Sequence, residues 1–170
     1  MADSEQIDIV DENNNVIGAT DAATAHEKKL THRIVGIFVF DVNGGLYVQT
    51  GNKYGKHDLT IGGHVGKGES YDDAARREML EEIGLEVPIK HISTFLPENA
   101  RMSHFWAIYE ATAPAGWKFT ETEEVKSLKK MKPLEIIATM NSNPEQFTHG
   151  FLNAMREFVC VKGTYGEVRF

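Results

Sequence analysis

The stretch "GGHVGKGESYDDAARREMLEEIGLEV", residues 62–87, decides the fold, because it joins a glycine-rich segment to a segment crowded with carboxylates. Ser70 is a good N-cap and Gly84 a good helix stop, so the spacing predicts a helix over residues 71–83. Asp73, three residues after Ser70, gives an acidic variant of the capping box. The stretch is therefore predicted to form a loop, a helix and a second loop.

Three glutamates of this helix project on the same side. On a helical wheel, Glu78 and Glu82 lie within about 40° of each other, and Glu81 lies about 60° to the other side of Glu78. Like charges at this spacing repel, although a solvated helix face is the ordinary interpretation of such a pair taken alone. A hard cation such as Mg²⁺ or Mn²⁺ would convert the repulsion into binding. Gly62 and Gly63, which lack side chains, would let backbone carbonyls approach the same ion.

Residues 63–85 resemble the Nudix box at every position. The matching residues are Gly63, Glu69, Arg77, Glu78, Met79, Glu81, Glu82, Gly84 and Leu85. Nine such matches at fixed spacing arise by chance on the order of once in 10⁹ start positions, given average amino-acid usage. The resemblance implies a fold of the α/β (α+β) class, an α/β/α sandwich with a mixed β-sheet. It also implies hydrolysis of a diphosphate that is attached to another group, X, with Mg²⁺ or Mn²⁺ as cofactor.

The resemblance also assigns catalytic roles by position. Glu78 and Glu82 would be metal ligands, Glu81 would be a further ligand or would orient the attacking water, and the backbone near Gly63 would complete the metal site. A metal that withdraws charge from a diphosphate makes the phosphorus easier to attack, and a nearby carboxylate can serve as the base.

Further residues are assigned supporting roles. Glu69 and Arg77 would form an ion pair that holds the loop against the helix, and Gly84 would end the helix. Glu123 and Glu124, in the later segment "ETEEV", are candidates for an additional ligand or the base, because relatives often carry an acidic residue there. A solvated acidic loop is the alternative interpretation of that segment.

Composition narrows the partners. The chain has 170 residues and a formal net charge of −7, which argues against a nucleic acid polymer or an anionic membrane as partner. The expected substrate is a small-molecule diphosphate, and a homodimer is plausible from the general frequency of dimers. No apolar run is long enough to span a bilayer and no signal peptide is visible, so a cytoplasmic location is expected.

The remaining segments predict one Nudix domain over residues 1–170. Residues 1–30 are predicted to form an additional N-terminal β-hairpin around an Asn-rich turn, and residues 31–160 the core. A last helix is predicted over residues 144–159, with an apolar stripe in the core. The single cysteine, Cys160, is predicted to be a buried structural thiol.

The N-terminal half is similar to the isopentenyl diphosphate isomerase branch of the Nudix superfamily and to hydrolase-like relatives that share its hairpin. His32 and His64, with His26 more loosely, lie near positions where isomerases bind metal, but histidines satisfied by hydrogen bonds are the preferred interpretation. Gly62 occupies the position of the isomerase catalytic cysteine. Since the later paired glutamates of isomerases are also not visible in "NARMSHFWAIYEAT", a hydrolase is preferred.

A third hypothesis is a catalytically inactive ligand-binding or regulatory module that kept the fold. The intact glutamates argue against it. The identity of X is open among nucleoside triphosphates, nucleotide sugars, dinucleotides, CoA esters and prenyl diphosphates. Candidates for contacting the substrate, each of which is more often simply solvated or packed, are Lys53, Tyr54, Lys56, Trp106 and Trp117.

Overall fold

The computed structural model describes residues 5–50, 55–98 and 104–163. Within these ranges the chain forms eight strands: β1 Gln6–Val10, β2 Val16–Asp21, β3 His32–Phe40, β4 Leu46–Thr50, β5 Ile61–His64, β6 Ile89–Phe95, β7 His104–Thr112 and β8 Ser127–Met131. The same ranges contain the helices α1 Ala22–Glu27, α2 Tyr71–Ile83, α3 Pro133–Ser142 and α4 His149–Lys162, and a 3₁₀ turn over Pro144–Gln146.

Strand β3 lies at the centre of one mixed sheet. It pairs in parallel with β7 along its whole length and antiparallel with β5 over residues 34–37. Its two ends meet β1 and β4, and β2, β8 and β6 extend the sheet further. The first residues of β3 and β7 and the last residues of β5 therefore come together at the start of the box segment.

Both faces of this sheet are covered, because the side chains of β3 alternate. Val35 and Ile37 face the side of α2, whereas Ile34 and Phe38 face the side of α3 and α4. All four side chains are buried. Two covered faces explain why β3 is a continuous apolar run. The predicted α/β/α sandwich is confirmed.

Helix α2 begins and ends where the sequence predicts. The Ser70 hydroxyl oxygen accepts the Asp73 backbone N–H at 3.1 Å. The Asp73 carboxylate accepts a hydrogen bond from the Ser70 hydroxyl at 2.7 Å, rather than from its backbone N–H as in a regular capping box. Gly84 has φ +62°, and its N–H donates to the Leu80 carbonyl at 3.0 Å. This left-handed position favours glycine and stops the helix.

Two predictions near the C-terminal end are wrong. The last helix begins at His149 rather than at residue 144, because Thr148 is the N-cap and accepts the Phe151 N–H at 3.1 Å. Cys160 is exposed. It lies about 200° around the helix from buried Phe158, which places it on the outer face of α4. Helix α3 begins at Pro133, with Lys132 as its N-cap.

The predicted N-terminal hairpin is confirmed as β1 and β2, and it packs against the box loop. The Asp8 carboxylate accepts the Gly68 N–H at 2.9 Å, and the Gln6 carbonyl accepts the Lys67 N–H at 2.8 Å. The hairpin therefore supports the loop that precedes α2. None of the helices in the described part of the chain is long and apolar enough to cross a bilayer.

Candidate metal centre

Glu78 and Glu82 lie on the buried side of α2, 6% and 3% exposed. Glu124, from the loop before β8, joins them: one carboxylate oxygen from each of the three lies within 4.8 Å of the others. The Thr122 hydroxyl donates to the Glu82 backbone carbonyl at 2.8 Å, which ties this loop to the helix. The three side chains together form an oxygen-only set of ligands, the kind that hard divalent cations prefer.

Two donors hold the Glu82 carboxylate. The Gly62 N–H donates to one oxygen at 3.1 Å and the Gln49 side-chain amide donates to the other at 2.9 Å. Burial nevertheless raises the pKa of Glu82 to about 8, and the charges of Glu78 and Glu124 add to this effect. The two donors therefore do not offset the effect of burial on the ionised Glu82 carboxylate.

Gly63 lies directly against the Glu78 carboxyl group. A Cβ atom placed on Gly63 would lie 2.0 Å from the Glu78 carboxyl carbon and 2.1 and 2.5 Å from its oxygens. No side chain fits there unless Glu78 moves. Burial raises the pKa of Glu78, and the neighbouring Arg77 opposes that rise.

Arg77 connects the loop, the helix and the end of β5. Its guanidinium donates to the two Glu69 oxygens at 2.9 and 3.0 Å, so the ion pair expected from the resemblance is present. It also donates to Glu78 at 2.8 Å, to Glu81 at 3.0 Å and to the His64 carbonyl at 3.0 Å. Hydrogen bonds from Arg77 lower the pKa of Glu69, and Glu69 is in turn the main reason that the pKa of Arg77 is raised.

The three glutamates of the box are not equivalent. Glu81 has a side chain that is 52% exposed and contacts Arg77 at the edge of the cavity. It does not belong to the close group, in which Glu124 takes the third place. Of the two candidates in the acidic loop, Glu124 therefore reaches the carboxylates, whereas Glu123 is exposed outside the group. Helical spacing alone could not reveal that a distant loop supplies the third carboxylate.

Glu78, Glu81 and Glu124 line a cavity of about 980 Å³, together with Gln49 and Gly62, the two donors to Glu82. Residues outside the box also line this cavity, among them Asp58, Leu59, Trp106, Thr148 and Asn153. The Asp58 carboxylate accepts a hydrogen bond from the Thr148 hydroxyl at 2.7 Å, and burial raises the pKa of Asp58. Gln49 and Asp58 were missed from the sequence, because neither stands in a motif and only the fold brings them to the cavity.

The substrate-contact candidates separate into three groups. Lys56 and Trp106 line the cavity. Trp117 instead packs against Tyr47, with ring centroids 5.3 Å apart. Lys53 and Tyr54 lie outside the described residues.

Histidines from four elements meet beside the carboxylates. The cluster comprises His26 of α1, His32 of β3, His64 of β5 and His104 of β7, with ring centroids of neighbouring pairs 4.3 to 5.8 Å apart. Burial lowers the pKa of His32 to about 4 and that of His104 to about 3, so both rings are neutral at pH 7. The preferred interpretation of the histidines as satisfied by hydrogen bonds holds for only one ring nitrogen of His32: Nδ1 lies 2.8 Å from the Leu30 carbonyl oxygen, whereas the buried Nε2 has no partner among the described residues.

Comparison with known proteins identifies the family. A family model described as a NUDIX domain matches residues 30–151. The chain belongs to the Nudix family. An uncharacterised Nudix hydrolase of Streptomyces coelicolor is 38% identical over 130 residues, which cover 71% of each chain. An isopentenyl-diphosphate Delta-isomerase of Photorhabdus laumondii is 31% identical over 153 residues, covering 84% of this chain and 86% of the isomerase.

Solved structures show the same Nudix fold. A crystal structure of the protein DR0079 from Deinococcus radiodurans has a TM-score of 0.74 at 23% identity and covers 89% of this chain and 97% of its own. A MutT protein of Methanosarcina mazei has a TM-score of 0.61 at 18% identity, covering 79% of this chain and 96% of its own. The relative from Photorhabdus laumondii is named an isomerase, which agrees with the isomerase branch that the N-terminal half of this Nudix chain resembles.

Proposed function

We propose that this Nudix protein hydrolyses the diphosphate bond of a small molecule in which a nucleoside diphosphate, or a similar diphosphate, is linked to a group X. The observation that carries the proposal is the buried pair Glu78 and Glu82, completed by Glu124, with Glu78 against Gly63 and both Glu78 and Glu124 lining a cavity. A cavity of about 980 Å³ has the size of sites that hold nucleotide-sized ligands.

The residues present fit Mg²⁺ or Mn²⁺. Two carboxylates buried with raised pKa values need a compensating cation, and the contact of Arg77 reaches only the Glu78 member of the pair. Gly63 leaves the Glu78 carboxyl group in contact with the backbone of β5, where a side chain would block it. Glu78, Glu82 and the backbone of Gly63 would therefore hold the ion, with Glu81 or Glu124 as a further ligand.

When bound, a divalent cation would withdraw charge from the phosphate oxygens and ease the loss of a proton from a nearby water. Residues of the chain orient the carboxylates and fix the loop beside them. Gln49 and the Gly62 N–H orient the Glu82 carboxylate, and the ion pair of Arg77 with Glu69 fixes the loop. Glu124, unlike Glu81, belongs to the close carboxylate group and its loop is tied to α2 through Thr122, so we assign Glu124 in preference to Glu81 as the further ligand or base.

The isomerase alternative has one specific observation against it. The chain holds a single cysteine, and Cys160 is exposed on α4 rather than among the residues that line the cavity. Gly62 takes the position where isomerases carry a catalytic thiol, and its N–H holds Glu82 instead. The alternative of an inactive binding module is distinguished from a hydrolase by turnover alone.

The test is a panel of diphosphates assayed with Mg²⁺ and with Mn²⁺ for released phosphate products. The panel includes nucleoside triphosphates, nucleotide sugars, dinucleotides, CoA esters and isopentenyl diphosphate, the last also followed by proton exchange at carbon. Wild type should hydrolyse at least one compound. Glu78→Gln and Glu82→Gln should each lose activity by roughly 100-fold or more, whereas Glu86→Gln, an exposed residue just beyond α2, should keep it.

Two further variants separate the loop carboxylates. Glu124→Gln should slow the hydrolysis and Glu123→Gln should not. Carbon exchange without hydrolysis would identify an isomerase, and tight binding without either reaction would identify a binding module.

A further inference from the structure

The carboxyl group of Asp58 is held in a fixed orientation in the lining of the cavity. Its Oδ1 accepts the Leu59 N–H at 2.9 Å and the Thr148 hydroxyl at 2.7 Å. The Thr148 oxygen itself accepts the Phe151 N–H at 3.1 Å, so its own hydrogen is directed to Asp58. Oδ2 accepts no hydrogen bond from the described part of the chain. One oxygen of a half-buried carboxylate is therefore left for a donor that enters the cavity.

Asp58 is linked to the carboxylate centre through one residue. Its backbone pairs with that of Gln49 in both directions, with N–H to carbonyl contacts of 3.0 and 3.1 Å, and residues paired in this way have Cα atoms about 5.5 Å apart. The Gln49 side chain donates to Glu82 at 2.9 Å. Asp58 lines the same cavity as Glu78 and Glu124. A ligand whose diphosphate lies at the carboxylate centre can therefore place its attached group beside Asp58.

Apolar side chains accompany Asp58 in the lining of the cavity. Leu59 and Trp106 line it and are themselves buried. The Trp106 ring lies against two glycines, because a Cβ on Gly36 would lie 3.0 Å from the ring and a Cβ on Gly150 would lie 3.2 Å from it. The indole is therefore closely confined. Such an aromatic surface, with a few fixed polar groups beside it, suits a planar ring in the ligand.

The charge of Asp58 determines which polar groups fit beside it. An ionised carboxylate accepts hydrogen bonds and donates none, so it favours an N–H or O–H and repels a phosphate or a carbonyl oxygen. Asn153 on α4 also lines the cavity, and its amide both donates and accepts. Adenine and cytosine carry an amino group where hypoxanthine and uracil carry an oxygen. Asp58 therefore distinguishes these two kinds of base, and Asn153 accommodates either.

We propose that Asp58 selects the organic group attached to the diphosphate, by accepting at Oδ2 a hydrogen bond from the amino group of a planar base that lies against Trp106. The inference rests on the proposed function for the position of the diphosphate, and it adds the class of base, adenine or cytosine in preference to hypoxanthine or uracil. An oxo base would place its oxygen against the carboxylate without a hydrogen bond, and a polar site rejects such a ligand strongly. Asp58 takes no part in breaking the diphosphate bond.

The test is calorimetric binding of four nucleoside diphosphates in which a methylene group replaces the oxygen between the two phosphates, so that hydrolysis does not intervene. The matched pairs are the cytosine and uracil compounds and the adenine and hypoxanthine compounds, each with Mg²⁺. In each pair that binds, we expect the amino compound to bind roughly tenfold or more tightly than its oxo partner. Equal or reversed affinities within such a pair, or no binding of any of the four, would overturn the proposal.

Asp58→Asn tests whether the preference belongs to this side chain. The amide keeps an oxygen for the Thr148 hydroxyl but presents an N–H in place of Oδ2. The preference for the amino compound should therefore disappear, while the oxo compound should bind no more weakly than before. A purely structural role in holding α4 would instead weaken all four compounds alike, which would overturn the proposal. The control is Glu145→Gln, which removes one negative charge at an exposed position just before α4 and should keep the preference.

Circular dichroism establishes whether Asp58→Asn is folded. If it is not, a crystal of the wild-type chain with the amino compound decides the question. The amino nitrogen should lie within hydrogen-bond distance of Asp58 Oδ2, and a base that lies elsewhere in the cavity would overturn the proposal. Hydrolysis of diphosphates without a base preference would refute only this inference. A base preference without any turnover would refute only the proposed hydrolysis.

Discussion

At the scale of single residues, the carboxylates of α2 have very different surroundings although they are adjacent in sequence. Glu82 is buried and held by a backbone N–H and an amide, Glu78 is buried beside Arg77 and Gly63, and Glu81 is half exposed. Sequence spacing placed all three on one side of the helix. Their burial depends on β5 and on the loop before β8, which no local pattern describes.

The raised pKa of Glu82 makes the stability of the metal-free protein depend on pH. Its pKa rises from 4.5 to about 8 on folding, so the folded state binds the proton more tightly and loses stability as pH rises through this range. Glu82→Gln removes that loss. With a chelator present, we expect the variant to melt at a higher temperature than wild type from about pH 7 to about pH 9.

The buried histidines do not disturb this comparison. Their pKa values are lowered on folding, so their contribution is lost as pH falls below about 6.5. Thermal unfolding followed by circular dichroism is the measurement. If Glu82→Gln melted at a lower temperature than wild type at both about pH 7 and about pH 9, the assignment of Glu82 as a buried acid without a compensating charge would be wrong.

Gly63 and Gly62 offer a matched pair of substitutions. A Cβ on Gly63 would lie 2.0 Å from the Glu78 carboxyl carbon, whereas the nearest atom to a Cβ on Gly62 is a backbone oxygen at 3.8 Å. Gly63→Ala should therefore displace Glu78 and weaken Mn²⁺ binding by roughly tenfold or more, and Gly62→Ala should not. Calorimetric titration with Mn²⁺ measures both. Equal losses in the two variants would show that Gly63 has no special part in the site.

At the scale of elements, α2 could be predicted with its bounds because its cap residues, its apolar stripe and its stop are all local signals. Helix α3 and the first residue of α4 could not be predicted from local signals. The segment before α4 forms a 3₁₀ turn whose backbone pairs with residue 57, and this contact rather than propensity sets Thr148 as the cap. Cys160 is exposed because it lies on the outer face of this helix.

Arg77 is the main link between α2 and its loop. Arg77→Met keeps the length of the side chain but removes donors to Glu69, Glu78 and Glu81. We expect it to lower the free energy of unfolding by roughly 2 kcal/mol, because partly buried acceptors lose their donor. Arg76→Met, at the exposed neighbouring position, should stay close to wild type. Urea unfolding measures both, and two indistinguishable curves would refute the role of Arg77.

At the scale of the whole molecule, the N-terminal hairpin is part of the site's support. Expected as an extension over residues 1–30, it reaches the box loop through Asp8 and Gln6 and reaches the histidine cluster through Glu5. We propose that the hairpin and the core over residues 31–160 act as one functional unit. The sequence could place the hairpin but not its partner, since a contact across some sixty residues leaves no local signal.

Asp8→Ala tests this support. Asp8 is 7% exposed and accepts the Gly68 N–H, so its loss should leave that amide without a partner and speed hydrogen exchange in residues 66–68. Asp11→Ala is the control, because Asp11 bonds only within the hairpin turn among the described residues. Faster exchange in the box loop of both variants, or of neither, would argue against a specific clamp.

The most direct test of the whole account is the anomalous scattering of Mn²⁺ in crystals grown with a non-hydrolysable diphosphate compound. We predict an anomalous peak within coordination distance of the Glu78 and Glu82 carboxylates, next to the backbone of Gly63, with a phosphate oxygen on its open side. A cavity that holds the diphosphate while the manganese peak lies elsewhere, or is absent at these side chains, would contradict the account.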